Sequence, residues 1–151
     1  MIMMRSLFVV ALLGACACGG TEVESFRVSL RAHALPCANG IPGLQAELAI
    51  PDHTTCALVV APDRTISGAC PAITTGRIYE VRLAYFVQIS EDARVDIARL
   101  YQTIDLTAPS DDAVAVSFPD SKLETNIDTD SDQLDNIVEV CSGRDPLVAG
   151  Q

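Results

Sequence analysis

Acidic side chains recur at alternate positions at Asp128, Asp130 and Asp132, and Glu139 follows seven residues later. Numbered as a twelve-residue loop, these acids stand at positions 1, 3, 5 and 12, with Leu134 at 7 and Asn136 at 9. Calcium-binding loops draw their oxygens from those positions. The reason is geometric. Calcium takes six to eight hard oxygens at about 2.3–2.6 Å with loose angles. A tight loop turns every second side chain inward, so Asp128, Asp130 and Asp132 converge on one point. The Leu134 carbonyl closes one side, and Asn136 ligates directly or through water. Glu139, on the first turn of a following helix, supplies two oxygens. Magnesium fits less well, because it demands stricter octahedral geometry and keeps its waters.

The surrounding composition agrees. Residues 120–151 hold eight acids and two bases, a net charge of −6, against −10 for the whole chain. A charge run is otherwise a solvated face or tail, and the spacing is what argues for more. Leu134, Ile137, Val138 and Cys141 fall at helical spacing and predict a short helix with that face docked on the rest of the protein. Gly143 is placed to end it.

The stretch Asp128–Pro146 resembles the bacterial thrombospondin type 3-like, EF-hand-like calcium repeat, roughly D-x-D-x-D-G-L-x-N-x-x-E followed by G-x-D-P. Asp128, Asp130, Asp132, Leu134, Asn136, Glu139, Gly143, Asp145 and Pro146 match it, nine positions within 19 of the 151 residues. The resemblance implies structural calcium binding in a secreted or surface protein. It departs at loop position 6, where Gln133 replaces Gly. That position needs a sharp turn, often with φ > 0, which strains a residue bearing a Cβ. The expected affinity is therefore of extracellular strength, roughly 10⁻⁴–10⁻³ M.

The elements that must carry this loop read as β-strands. Residues 25–34 alternate strictly, with Phe26, Val28, Leu30, Ala32 and Ala34 on one side and His33 on the polar side. A second alternation runs from Leu44 to Ile50. Ala57–Val60 and Thr65–Ala69 flank Ala61-Pro62-Asp63-Arg64, with Pro where a type I turn prefers it. Tyr79 to Ile89 make a long strand. Residues 90–106 read as a turn and then a strand whose phase shifts after Ile97, which predicts a bulge. Val114, Val116 and Phe118 form a last strand. The expected fold is all-β, an antiparallel β-sandwich of immunoglobulin-like or transthyretin-like kind over 25–119, followed by the acidic repeat at 120–151.

The N-terminus predicts export. Arg5 precedes the uncharged apolar run 6–15, too short to span a bilayer. The run ends Leu13-Gly14-Ala15-Cys16, which resembles the bacterial lipobox. That resemblance implies removal of 1–15, lipidation at Cys16, a tether over 16–24, and an outer-membrane address, since Ala17 and not Asp follows the Cys. Of the five further cysteines, Cys18 sits in the tether, and Cys37, Cys56, Cys70 and Cys141 allow three disulfide connectivities. Cys56 and Cys70 bracket the hairpin about Asp63, so a cross-strand bridge is natural there. Cys37 with Cys141 would then tie the first loop to the C-terminal segment.

Other chemistry is set aside. Twenty acids against ten Lys and Arg disfavour nucleic acid. Two histidines, no H-E-x-x-H and no G-x-S-x-G give no basis for catalytic zinc or a hydrolase elbow. The leading expectation is a non-enzymatic, lipid-anchored envelope protein that binds calcium structurally. The competing ones are an adhesion module whose sandwich loops recognise a surface protein or polysaccharide, and a small envelope enzyme.

Overall fold

The computed structural model describes residues 22–31, 33–35, 37, 40–74, 76–107 and 118–150. The signal segment, Cys16, Cys18, Val114 and Val116 lie outside the described residues. The fold is predominantly β. Six strands, β1 (Glu22–Arg31), β2 (Gln45–Ile50), β3 (Thr54–Val60), β4 (Thr65–Thr74), β5 (Ile78–Ser90) and β6 (Ala93–Asp105), join into one antiparallel sheet of order β1-β4-β3-β2-β5-β6. A short helix, α1 (Asn136–Ser142), follows near the C-terminus.

Period-two alternation explains most of these strands. In β3 the buried residues are Cys56 and Leu58, and in β5 they begin Tyr79, Val81, Leu83. These side chains, with Leu48, Ile50, Ile66, Cys70, Leu100 and Ile104, form one hydrophobic core. Phe118 and Ile137 belong to the same core, so the C-terminal segment packs into it and does not stand apart.

The turns follow local chemistry. Arg64 donates its N–H to the Ala61 carbonyl at 2.9 Å, and Thr65 donates to the Asp63 carboxylate at 2.9 Å. Arg64 itself has φ 66°, which makes a type I turn closed by a left-handed residue. Gly68 lets β4 lie under Leu58: a Cβ there would stand 2.7 Å from the Leu58 Cδ2 atom.

The bulge expected in the last long strand is present. Tyr85 pairs with Ala98 and Phe86 with Asp96, so Ile97 is the extra residue. Ile97, Ala98 and Leu100 are all fully buried, which is the phase shift visible in the sequence.

Three expectations are corrected. β1 starts at Glu22, inside the expected tether, because Glu22 and Val23 pair with Thr74 and Ile73 of β4. The strand also ends at Arg31, before His33. Parity no longer applies there, and His33 is buried at 5 % exposure instead of facing solvent. Its backbone N–H and ring Nδ1 meet the Tyr85 hydroxyl at 3.1 and 2.7 Å, and its Nε2 meets the Phe118 carbonyl at 2.7 Å. A carbonyl can only accept, so Nε2 is the protonated nitrogen and Nδ1 accepts from Tyr85. Burial pushes the Tyr85 phenol up to about 12. Phe118 is buried but lies in no strand.

The outer face of β2, β5 and β6 carries an ion-pair cluster. Glu47 is 8 % exposed and accepts from Arg94 at 2.6 and 2.7 Å and from Arg82 at 3.1 Å. The Arg94 guanidinium also stacks over Phe86 at 4.2 Å and reaches Asp96 at 3.2 Å. The bonds from Arg94 outweigh desolvation and hold the Glu47 carboxyl below its ordinary value. A lowered carboxylate pKa contributes stability that is present above the unfolded value, about 4.3, and is lost as pH falls through the folded one. Glu47→Gln should therefore lower unfolding free energy by about 2 kcal/mol at neutral pH. Urea titrations should show the gap between the two proteins closing on acidification below about pH 4.

Candidate metal site

The loop is closed at its neck by Asn136. Its backbone N–H donates to the Ile127 carbonyl at 2.6 Å. Its side-chain oxygen accepts from the Thr129 N–H at 2.9 Å, and its amide nitrogen donates to the Thr129 hydroxyl at 2.8 Å. The same nitrogen donates to the Asp96 carbonyl at 2.7 Å, next to the bulge on β6. Asn136 is fully buried. It therefore fastens the loop to the sheet, with its amide bonded to Thr129 and to the Asp96 carbonyl.

Between those ends the acids turn the backbone. Asp128 accepts from the Ser131 and Gln133 N–H groups at 2.7 and 3.0 Å. Asp130 accepts from Asp132 N–H at 3.2 Å, and Asp132 accepts from Leu134 N–H at 2.9 Å and Gly150 N–H at 3.1 Å. Asp130 and Asp132 thus each make an Asx turn, and Asp128 clasps the chain three and five residues on. The Asp128, Asp130 and Asp132 carboxylates each offer an oxygen within 4.8 Å of the others, a group that can hold a metal ion. Oxygens on opposite sides of a calcium ion stand about 5 Å apart, twice the bond length.

Glu139 completes the picture from α1. It is 1 % exposed, and neither carboxylate oxygen has a hydrogen-bond partner. Asp130 has a second such oxygen, Oδ2. Burial first, then repulsion from Asp130, Asp132 and Asp128, pushes the Glu139 carboxyl above its ordinary value, and Arg144 opposes this. Burying an unpaired carboxylate costs several kcal/mol. A cation among the four acids would supply the opposite charge and bond the orphaned oxygens. The donor set is all hard oxygen, which suits calcium and not a thiolate- or imidazole-seeking metal.

The helix face differs from the expected one. Asn136, Ile137 and Glu139 are buried and Val140 half-buried, whereas Val138 is 47 % exposed and Cys141 is exposed too. The polar residues Asn136 and Glu139 claim the inner side, one for the sheet and one for the acids, and they rotate Val138 outward. Leu134 precedes the helix and is half-buried. Gly143 caps α1 at φ 73°, as its position suggested. Pro146 is buried just beyond it. Both expected disulfides are present, Cys56–Cys70 and Cys37–Cys141. Thr129, Gly150 and the Asp96 carbonyl were not singled out by spacing. They act through backbone atoms or through contacts across 40 residues, which no local pattern records.

No protein-family profile, curated protein or solved structure matches this chain.

Gln133, the departure from glycine at loop position 6, does adopt φ 77°, and Ser131 has φ 65°. An L-residue in that region costs roughly 1–2 kcal/mol, and glycine recovers this less its own entropy of about 0.5–1 kcal/mol. Gln133→Gly should raise unfolding free energy by about 0.5–1 kcal/mol, and Gln133→Val should lower it. Chemical denaturation of the three proteins measures the order. A glycine variant less stable than the wild type would contradict strain at this position.

Proposed function

We propose that this chain is a non-enzymatic, lipid-anchored envelope protein that binds calcium structurally at its C-terminal loop. The observation that carries the reading is Glu139, fully buried with both oxygens unpartnered and repelled by the three aspartates of the loop. Nothing else among the described residues accounts for placing a charge there, and a divalent cation does. The ligand set is Asp128, Asp130, Asp132 and Glu139, with the Leu134 carbonyl. Asn136 serves as the anchor that presents them. Calcium screens the mutual repulsion of the acids and stiffens the segment against β6.

The lipid anchor at Cys16 and the outer-membrane address rest on the Leu13–Cys16 pattern. An oxidising compartment suits a chain with two disulfides. A sandwich in the immunoglobulin-like or transthyretin-like sense is supported by two features. Core residues of β4 and of β6, four places apart in the sheet order, meet in one cluster, and β3 pairs with β4 at Val59↔Ser67 and Val60↔Ile66 beside their turn. A sheet that folds over between those strands would bury its apolar face on itself.

Calorimetric titration of the full chain with calcium should give one site per chain. Glu139→Gln should weaken it at least about tenfold, since it removes one charged bidentate ligand. Magnesium should compete poorly. Equal heats for the wild type and Glu139→Gln would end the proposal.

A further inference from the structure

The two disulfides sit in unlike settings. Cys56 and Cys70 are 4 % and 2 % exposed and belong to the core. Cys141 is exposed and Cys37 half-buried. Thiol–disulfide exchange needs access for the attacking thiolate. A reductant therefore reaches the Cys37–Cys141 bond while Cys56–Cys70 stays covered.

The accessible bond is mechanically joined to the metal loop. Cys141 lies on α1, two residues after Glu139. The helix is held by Ile137 in the core, half-buried Val140 against it, the Asn136 bonds to the Ile127 and Asp96 carbonyls, and the bond to Cys37 across 104 residues. Ile137 and Asn136 hold the N-terminal half of α1, and the C-terminal half is held by partial packing of Val140 and by the disulfide. Glu139 lies between them, and repulsion from Asp130, Asp132 and Asp128 acts on it. The disulfide is thus the covalent attachment, beside the partial packing of Val140, that opposes outward movement of the helix end bearing Glu139.

We infer that the Cys37–Cys141 disulfide is a redox gate on the acidic loop: intact, it holds Glu139 in ligating position, and opened by an external dithiol, it frees the helix end and weakens cation binding. The inference rests on the calcium reading above. The step balances with a dithiol, such as a thiol–disulfide oxidoreductase carries. Its first thiolate attacks one sulfur of Cys37–Cys141 to give a mixed disulfide. Its second thiol displaces that bond, so the dithiol is oxidised to its own disulfide and two protein thiols form, with two electrons and two protons transferred. Linkage makes the effect reciprocal: calcium must disfavour opening of the bond by the factor by which the bond favours calcium.

The test compares three forms of the full chain by calcium calorimetry: oxidised wild type, wild type opened by limited phosphine treatment, and Cys37→Ser/Cys141→Ser. Intact mass after alkylation identifies the opened bond, and circular dichroism reports the fold. The expected result is selective opening of Cys37–Cys141, slowed by calcium, with affinity about tenfold weaker in the opened forms, an ordinary coupling strength. Should the double-serine variant not fold, the phosphine-opened wild type decides. Equal calcium affinity in oxidised and opened forms would overturn the gate and leave the calcium site standing. Opening of Cys56–Cys70 first would also overturn it. No calcium binding by the oxidised chain would overturn both readings.

Discussion

A carboxylate with 1 % exposure and two unpartnered oxygens is the costliest feature of this protein, and the C-terminal segment is organised around it. Burial strips water from Glu139, and three aspartates repel it. The aspartates are partly compensated by backbone amides from Ser131, Asp132, Gln133, Leu134 and Gly150. Those bonds fix the loop's shape but leave its net charge unchanged. Hydrogen bonds thus preorganise the oxygens, and a cation supplies the electrostatic term that makes the arrangement favourable. Preorganisation lowers the ordering entropy of binding and offsets part of the strain at Gln133.

The sheet takes part through one irregularity. Ile97 is an extra residue in β6, and the neighbouring Asp96 carbonyl takes the Asn136 amide. β6 is also the last strand in the sheet order, so its outer rim is available to the C-terminal segment. Arg99 and Glu124 exchange backbone hydrogen bonds at 3.0 and 2.9 Å along that rim, and their side chains pair at 3.2 Å. An edge strand covered in this way is a poor template for pairing with other chains. The residue that gives the loop its foothold also pairs with Arg94 in the cluster around Glu47, so sheet face and loop neck share one position.

Strand locations and the acid cluster were legible because both depend on local periodicity. Alternation placed β2, β5 and the hairpin of β3 and β4, and the phase shift at Ile97 announced the bulge. The Asp128, Asp130 and Asp132 convergence followed from alternate spacing in a tight turn. Tertiary partners decided the rest. His33 reads as a polar-face residue until the strand ends at Arg31 and the Tyr85 hydroxyl draws its backbone and ring inward. The spacing marks Asn136 as a ligand position but does not reveal its second role, an amide bond to the Asp96 carbonyl 40 residues away. Apolarity alone predicts a helix face with Val138 and Cys141 inward; Ile137 keeps its place, but buried Asn136 and Glu139 rotate Val138 outward.

Magnitudes separate what calcium does from what holds the fold. At a dissociation constant of roughly 10⁻⁴–10⁻³ M and about 1 mM free calcium, binding adds about 0.4–1.4 kcal/mol to stability. Each disulfide contributes typically about 2–4 kcal/mol, and the buried side chains of the core about 1.5–3 kcal/mol apiece. The sheet therefore does not depend on the ion for its existence. On the proposed reading the acidic loop would be the part that responds to the ion, because Asp128, Asp130 and Asp132 repel Glu139 there. On that reading, calcium would act as a local stiffener at the rim of a fold that the core and the cross-links already secure. It would do so where the last helix, the sheet edge and the Cys37–Cys141 bond converge.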